Sequence, residues 1–224
     1  VWEYDKEAHI TVVGRMKKRT PVPPMVSDLI WQGLVAIEGT KFSRGISCPS
    51  CQGLLQGYDY RKKRFATLIE GGSSRDIKVV IKRFVCRRCG KVCSADAPFY
   101  PSTRHGSPVV DFALALSENR SYRETSRVLA HCHIAMDWGT IRHYATLGLL
   151  PVPTFGLYGI PVPLSLLYLS ILGVQLDKGG SIAGTEALAA CRLPPAHGAL
   201  FHMVGLSEER DKRDEQKKKE DGVS

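Results

Sequence analysis

Hydrophobic and polar residues alternate from Ile77 to Val85. Val79, Ile81 and Val85 fall on one face, and Lys78, Val80, Lys82 and Phe84 fall on the other. A period of two predicts a strand. Arg64-Phe65-Ala66-Thr67-Leu68-Ile69 reads as a second strand, and Gly71-Gly72-Ser73-Ser74 between the two reads as a turn. The expected product is a β-hairpin. Upstream, Ser27 is placed to cap a helix over residues 28–38, with Leu29, Ile30, Leu34 and Ile37 as its apolar positions.

Downstream the period lengthens to that of a helix. Ser107-Pro108 supplies an N-cap and a proline start, after which Val109, Phe112, Ala113 and Leu116 recur at i, i+3, i+4 and i+7. This helix ends at Asn119-Arg120. Ser121-Tyr122-Arg123-Glu124 is a capping box that opens a second helix, expected to run to about Ala130 with Val128 and Leu129 inward. Asp137 caps a third through Thr140, Ile141 and Tyr144, ending at Gly148. Three short helices in this order predict a helix-turn-helix, with the second as scaffold and the third as recognition helix. The connection from His131 to Met136 is longer than the tightest such turns, and a plain helical core is the alternative.

Residues 144–176 hold no charged side chain, and prolines at 151, 153, 161 and 163 predict a linker. Leu164 to Leu176 is then an apolar run of thirteen residues, short of the about 20 that a membrane helix needs. A buried strand or helix is expected there. A kinked span beginning at Tyr158 is the alternative.

Charge changes the picture by its location. The 224-residue chain has a net charge of +9, and residues 41–104 alone hold fourteen Lys/Arg against four Asp/Glu. The whole excess therefore lies on the predicted hairpin and its flanks. A cationic face of that kind is the footprint of a polyanion binder, since neutralising phosphates releases counterions. Spread-out charge for solubility would not gather in one segment. The first twenty residues are charged and lack the apolar stretch of a secretory signal, so a reducing, cytoplasmic compartment is expected for the seven cysteines.

In that setting paired Cys-x-x-Cys motifs point to metal. Cys48-Pro49-Ser50-Cys51 and Cys86-Arg87-Arg88-Cys89 flank the hairpin, and the second is followed by Gly90. Four thiolates on two such knuckles suit one tetrahedral structural Zn²⁺. A two-strand sheet has little core of its own, so the metal is expected to supply much of its folding free energy. Cys93 fits better as a small apolar side chain on the strand leaving the knuckle. His131-Cys132-His133 would point its three side chains in divergent directions, which disfavours a second metal site.

Cys48 to Cys51, the Gly57-Tyr58 entry, Lys82-Arg83-Phe84-Val85-Cys86-Arg87-Arg88-Cys89-Gly90 and the Ser121–Glu124 helix start together resemble the N-terminal half of insertion-sequence transposases. The resemblance covers about residues 45–148. It implies a zinc ribbon and a helix-turn-helix that bind the inverted repeats of a mobile element, ahead of a DDE nuclease core. In that scheme Asp177 would be the first catalytic carboxylate. After Asp177, Glu186 is the one other acidic residue before the tail, whereas a two-metal site needs several converging carboxylates. The catalytic part is therefore expected to be truncated, and Mg²⁺ would enter only with a complete core.

The expected fold class is α+β: a zinc ribbon over residues 45–98 and a helix-turn-helix over 105–148. Residues 1–44 lead in, 149–163 link, 164–206 form an irregular apolar remnant, and 207–224 form a charged disordered tail. Double-stranded DNA is the expected partner, with a second copy or an intact transposase relative as protein partners. Phosphate contacts are expected from Lys62, Lys63, Arg64, Lys82, Arg83, Arg87 and Arg88, and base contacts from Thr140, Arg142 and His143. A zinc-dependent transcriptional regulator and a membrane-tethered or structural protein are the two alternatives.

Overall fold

In the computed structural model, which describes residues 22–176 and 182–191, the first helix α1 (Pro24–Ala36) opens on a proline. It starts before the expected Ser27 cap because proline at the first helical position has its φ preset and sacrifices no helical hydrogen bond. Ser27 lies inside the helix, where its hydroxyl donates to Pro24 O at 2.8 Å. Val26, Ile30, Leu34 and Ile37 are fully buried.

The hairpin is longer than its apolar alternation predicted. A short strand β1 (Lys41–Phe42) precedes β2 (Leu55–Glu70) and β3 (Ser73–Cys86), and β4 (Val92–Ser94) follows. The turn consists of Gly71 and Gly72 alone, with φ of +56° and +86° and Glu70 facing Ser73. Positive φ at both central residues is what a two-residue hairpin turn requires. β2 flanks one edge of β3. On the other edge β1 runs parallel at Val80 and Ile81, and β4 runs antiparallel at Arg83 to Val85.

The buried face of β3 is not continuous. Ile77, Val79 and Ile81 are buried as expected, but Phe84 replaces Val85 in the next buried position. Two features explain the change. β2 carries an extra residue between Gly57 and Tyr60, opposite Lys82 to Phe84, and such a bulge bends the ladder. Gly45 lies directly on the Phe84 ring, where an added Cβ would sit 2.8 Å from Cε2. A second shift at Arg64 to Ala66 buries Phe65 and Ala66 in succession. Phe65 then meets Phe99 edge to face at 5.8 Å and receives the Gly106 N–H at 2.7 Å on its carbonyl.

Helices α2 (Ser107–Ser117), α3 (Tyr122–His131) and α4 (Trp138–Ala145) stand where the caps predict. Ser121 accepts the Glu124 N–H at 3.3 Å, and Asp137 accepts the Thr140 N–H at 2.9 Å. The N-cap of α2 is Gly106 in place of Ser107, because the Phe65 carbonyl holds the preceding backbone. The long connection between α3 and α4 has a structural cause. Ile134 bridges Leu68 of β2, with Ile69 N–H donating to His133 O and Ala135 N–H donating to Thr67 O, both at 2.8 Å. The connection serves as a one-residue strand on the β2 edge and ties the helices to the hairpin.

The region after α4 is ordered into elements, correcting the expected linker and irregular remnant. β5 (Thr154–Leu157) and β6 (Ile160–Pro163) form a second hairpin, α5 (Leu164–Gln175) follows directly, and α6 (Gly184–Cys191) comes after the undescribed residues 177–181. Proline is admissible in so small a ribbon because each strand has an unpaired edge. Ile160 and Val162 are fully or almost fully buried, and β6 packs on α2. The apolar run is thus a short core helix, and among the described residues no helix is long and apolar enough to cross a membrane.

α5 crosses α1 at very close range. A Cβ on Gly33 would lie 2.7 Å from Ser170 Cα, and one on Gly173 would lie 2.9 Å from Gln32 O. Neither backbone can yield without separating the helices. Gly33→Ala is therefore expected to destabilise the fold by about 1–3 kcal/mol, the usual cost of overpacking, read as a lowered thermal midpoint. An unchanged midpoint would show that the crossing relaxes freely.

Candidate functional site

The open end of the long hairpin carries both cysteine pairs. In the first, the Cys48 N–H donates to Gly53 O at 3.0 Å, and the Gln52 N–H donates to Cys48 O at 2.7 Å. In the second, Gly90 takes φ +71° and its N–H donates to Cys86 O at 2.9 Å. The turn aims the Arg88 N–H at Cys86 Sγ, 3.4 Å away. Cys48 and Cys89 Sγ are 3.6 Å apart, Cys51 and Cys86 Sγ are 3.4 Å apart, and all four lie within 4.8 Å of one another.

Four thiolates at about 2.3 Å from a tetrahedral ion would be separated by about 3.8 Å, so these residues fit one metal ion. Gly53 adds a second sign of fit. A Cβ there would stand 3.0 Å from Cys86 Sγ and 3.3 Å from Cys51 Sγ, so glycine keeps the cradle clear. Backbone N–H groups of Cys89 and Arg88 pull the Cys86 thiol down to about 6. Cys51 receives the same help from Gly53, yet the neighbouring Cys86 thiol and burial drive it up to about 12. One negative sulfur resists the next, and a bound cation would relieve that repulsion.

Cys93 stays outside the cluster, buried on β4 with its thiol toward Phe84 O at 3.8 Å. His131 Nδ1–H donates to Arg127 O at 2.7 Å. Among the described residues Cys48, Cys51, Cys86 and Cys89 are the one group of three or more ligand side chains drawn together.

The cations named from sequence occupy three different environments. Lys62, Arg87 and Arg88 are exposed; Arg87 Nε donates to Gln56 at 3.3 Å and Arg88 Nη1 donates to Cys51 O at 3.4 Å. Arg83 is bound to Asp59, through Nε at 2.6 Å, and Arg64 pairs with Asp76 at 3.6 Å. Lys63 turns inward, its Nζ 3.8 Å above the Phe99 ring, and burial lowers its pKa. Lys82 lies 5.9 Å from the Tyr60 ring. On α4, Arg142 and His143 are exposed, but the Thr140 hydroxyl is occupied by Asp137.

Sequence patterning overlooked Tyr58, Tyr60, Arg61 and Arg104. For the first three a signal was available, since two tyrosines directly precede four consecutive cations from Arg61 to Arg64. The apolar pattern places the strand start at Arg64, which leaves the polar outer half of β2 outside it. Asp177 and the residues of the charged tail lie outside the described residues. Glu186 does not stand free: its Oε2 accepts the Ala183 N–H at 3.1 Å at the start of α6. No family model matches this chain, and neither a curated protein nor a solved structure matches it.

Proposed function

We propose that the chain is a transposase-like DNA-binding protein that recognises the ends of a mobile element through a zinc ribbon and a helix-turn-helix, with an incomplete nuclease part. The observation that carries this reading is the union of two features in one hairpin. A four-cysteine cluster closes its open end, and its strands bear the cations that give the chain its charge. Zinc fits four thiolates best among common ions, because soft sulfur ligands and tetrahedral geometry suit it. Cys48, Cys51, Cys86 and Cys89 would hold it, and its role would be structural.

In this reading the hairpin supplies phosphate contacts, and α4, through Arg142 and His143, supplies base contacts. Exposed cations should matter more than paired ones. Lys62→Gln is expected to weaken binding to all duplex sequences alike and to reduce the slope of log affinity against log salt by about 0.9. Arg83→Gln should have the smaller effect on the salt slope, since Asp59 already neutralises that guanidinium. Fluorescence anisotropy across a salt series reads both. Arg142→Ala should relax sequence preference. Salt-independent affinity, or unaltered preference in Arg142→Ala, would remove the support for this assignment.

Cleavage and strand transfer on end-containing DNA with Mg²⁺ or Mn²⁺ are expected to be absent. Two-metal phosphoryl transfer needs carboxylates held on a rigid frame, and Glu186 is engaged in starting a helix. Activity in the wild type that vanishes in Asp177→Ala would overturn the incomplete-nuclease part of the proposal and leave DNA binding standing.

A further inference from the structure

The outer half of the long hairpin presents a second kind of surface. Tyr58 and Tyr60 are 62% and 57% exposed, unusual for large rings on a strand whose other half is packed into a core. The bulge at Tyr58 and Asp59 lies between them, so Tyr58 sits by Arg83 and Tyr60 pairs with Lys82, and the strand edge carries one ring on each face. Each ring is flanked by a cation from β3. The Arg83 guanidinium stands 5.5 Å from Tyr58 and is held there by Asp59, while Lys82 lies 5.9 Å from Tyr60.

Alongside runs a groove of about 450 Å³ between β2 and the segment leading into α2. Arg61, Lys62, Lys63, Arg64 and Arg104 line it, and among the described residues no carboxylate does. Among the described residues β2 has no strand partner on its outer side here; Ile134 pairs with it only farther along, at Leu68. Aromatic faces beside a cationic groove are the two components of a site for a nucleic-acid strand with unpaired bases. A duplex hides its base faces in stacking, so it could use the cations but not the rings.

We infer that this half of the hairpin binds unpaired nucleic-acid strand, its bases stacking on Tyr58 and Tyr60 and its phosphates lying in the groove beside Arg61 and Arg104. The inference rests on the nucleic-acid-binding reading above and adds unpaired strand to the duplex phosphates that the hairpin cations serve there. Duplex and unpaired strand would then share those cations, with the rings serving the unpaired strand alone.

The test uses the full, zinc-supplemented chain and labelled oligonucleotides of about 12 nucleotides, a length within the usual range of single-strand sites, offered as single strand and as duplex. Tyr58→Ala/Tyr60→Ala is expected to lose about tenfold or more in single-strand affinity, with duplex affinity held within about twofold. Tyr58→Phe/Tyr60→Phe keeps the rings and should retain single-strand binding. Both tyrosines are exposed, so circular dichroism should show the fold unchanged. Equal losses on both ligands, or no loss, would overturn the inference. Duplex binding without single-strand binding by the wild type would overturn it alone. Binding of neither would overturn the nucleic-acid reading with it.

Discussion

Removing metal from the four-cysteine cluster, by chelation or by Cys86→Ser, is expected to unfold the open half of the long hairpin and spare the closed half. Sequence reasoning expects the whole ribbon to depend on the ion, because two strands have little core. The structure divides that dependence. Ala66, Leu68, Ile77 and Val79 near the turn are fully buried in the common core, and the connection between α3 and α4 is hydrogen-bonded to β2 at Thr67 and Ile69. These contacts do not involve the cysteine cluster and are expected to persist without an ion. Gln56 to Lys62 have little burial on either face, so their order comes from pairing with β3 and from the cysteine turns. Structural zinc contributes about 10–16 kcal/mol in small finger peptides, ample to order such a segment.

Amide hydrogen exchange reads the result directly. Protection should fall at residues 48–64 and 84–93 in Cys86→Ser and persist at 66–69 and 77–81. Native mass spectrometry should count one zinc per wild-type chain and none per variant. A wild type purified without metal would exclude the zinc assignment. Loss of protection through residues 66–81 as well would mean that the core contacts do not hold the hairpin without the ion.

The second large effect concerns Asp111, whose burial sequence did not suggest. It lies on α2 and is 3% exposed. The Tyr100 hydroxyl donates to its Oδ1 at 2.7 Å. Among the described residues Oδ2 and the nearby Ser165 hydroxyl have no partner of ordinary hydrogen-bond geometry, although Ser165 is placed to moderate the charge. Burial pushes the carboxyl up to about 7, with Tyr100 and Ser165 opposing. The folded state thus holds a proton that the unfolded chain releases near about 3.9. That stabilisation is complete below about pH 4 and is lost as pH rises through about 7, amounting to about 4 kcal/mol.

His105 acts in the opposite direction. Its Nδ1 is 2.9 Å from the Tyr144 hydroxyl, which also accepts the Arg104 N–H at 3.2 Å. That arrangement suits a neutral ring accepting the phenolic proton, and burial lowers its pKa to about 4. Its contribution is present above about 6.5 and is lost as pH falls toward about 4, a span of about 3 kcal/mol. The two windows overlap, so the wild type should vary little between pH 4 and 6.5. Asp111→Asn removes one side of the balance. Relative to wild type it should gain stability steadily from pH 4 to 7, and its own stability should fall on acidification below pH 6.5. Urea unfolding at one-unit pH intervals measures both, and a stability difference independent of pH would show that Asp111 is not protonated in the folded state.

By itself, the sequence determined what is encoded over short spans of chain. The caps at Ser121 and Asp137 and the 3.6-residue period after Pro108 located α2, α3 and α4, because a helix satisfies its hydrogen bonds within a few residues. The Cys-x-x-Cys spacings designated the four cysteines that the fold draws together, and the cation count marked the hairpin. Tertiary structure decided what depends on remote partners. Phe84 is buried instead of Val85 because Gly45, far back in the chain, covers its ring and a bulge in β2 bends the ladder. After a turn at Cys132 and His133, Ile134 is extended because β2 offered an edge to pair with. The proline-rich stretch became β5 and β6, and the apolar run became α5, because α2 and α1 supplied surfaces to pack against, the latter through Gly33. Asp111 reads as a solvent-facing helix residue until Tyr100 and Ser165 close over it. Strand register, close helix crossings and the burial of a charge are set by which surfaces meet, and local pattern carries no record of the partner.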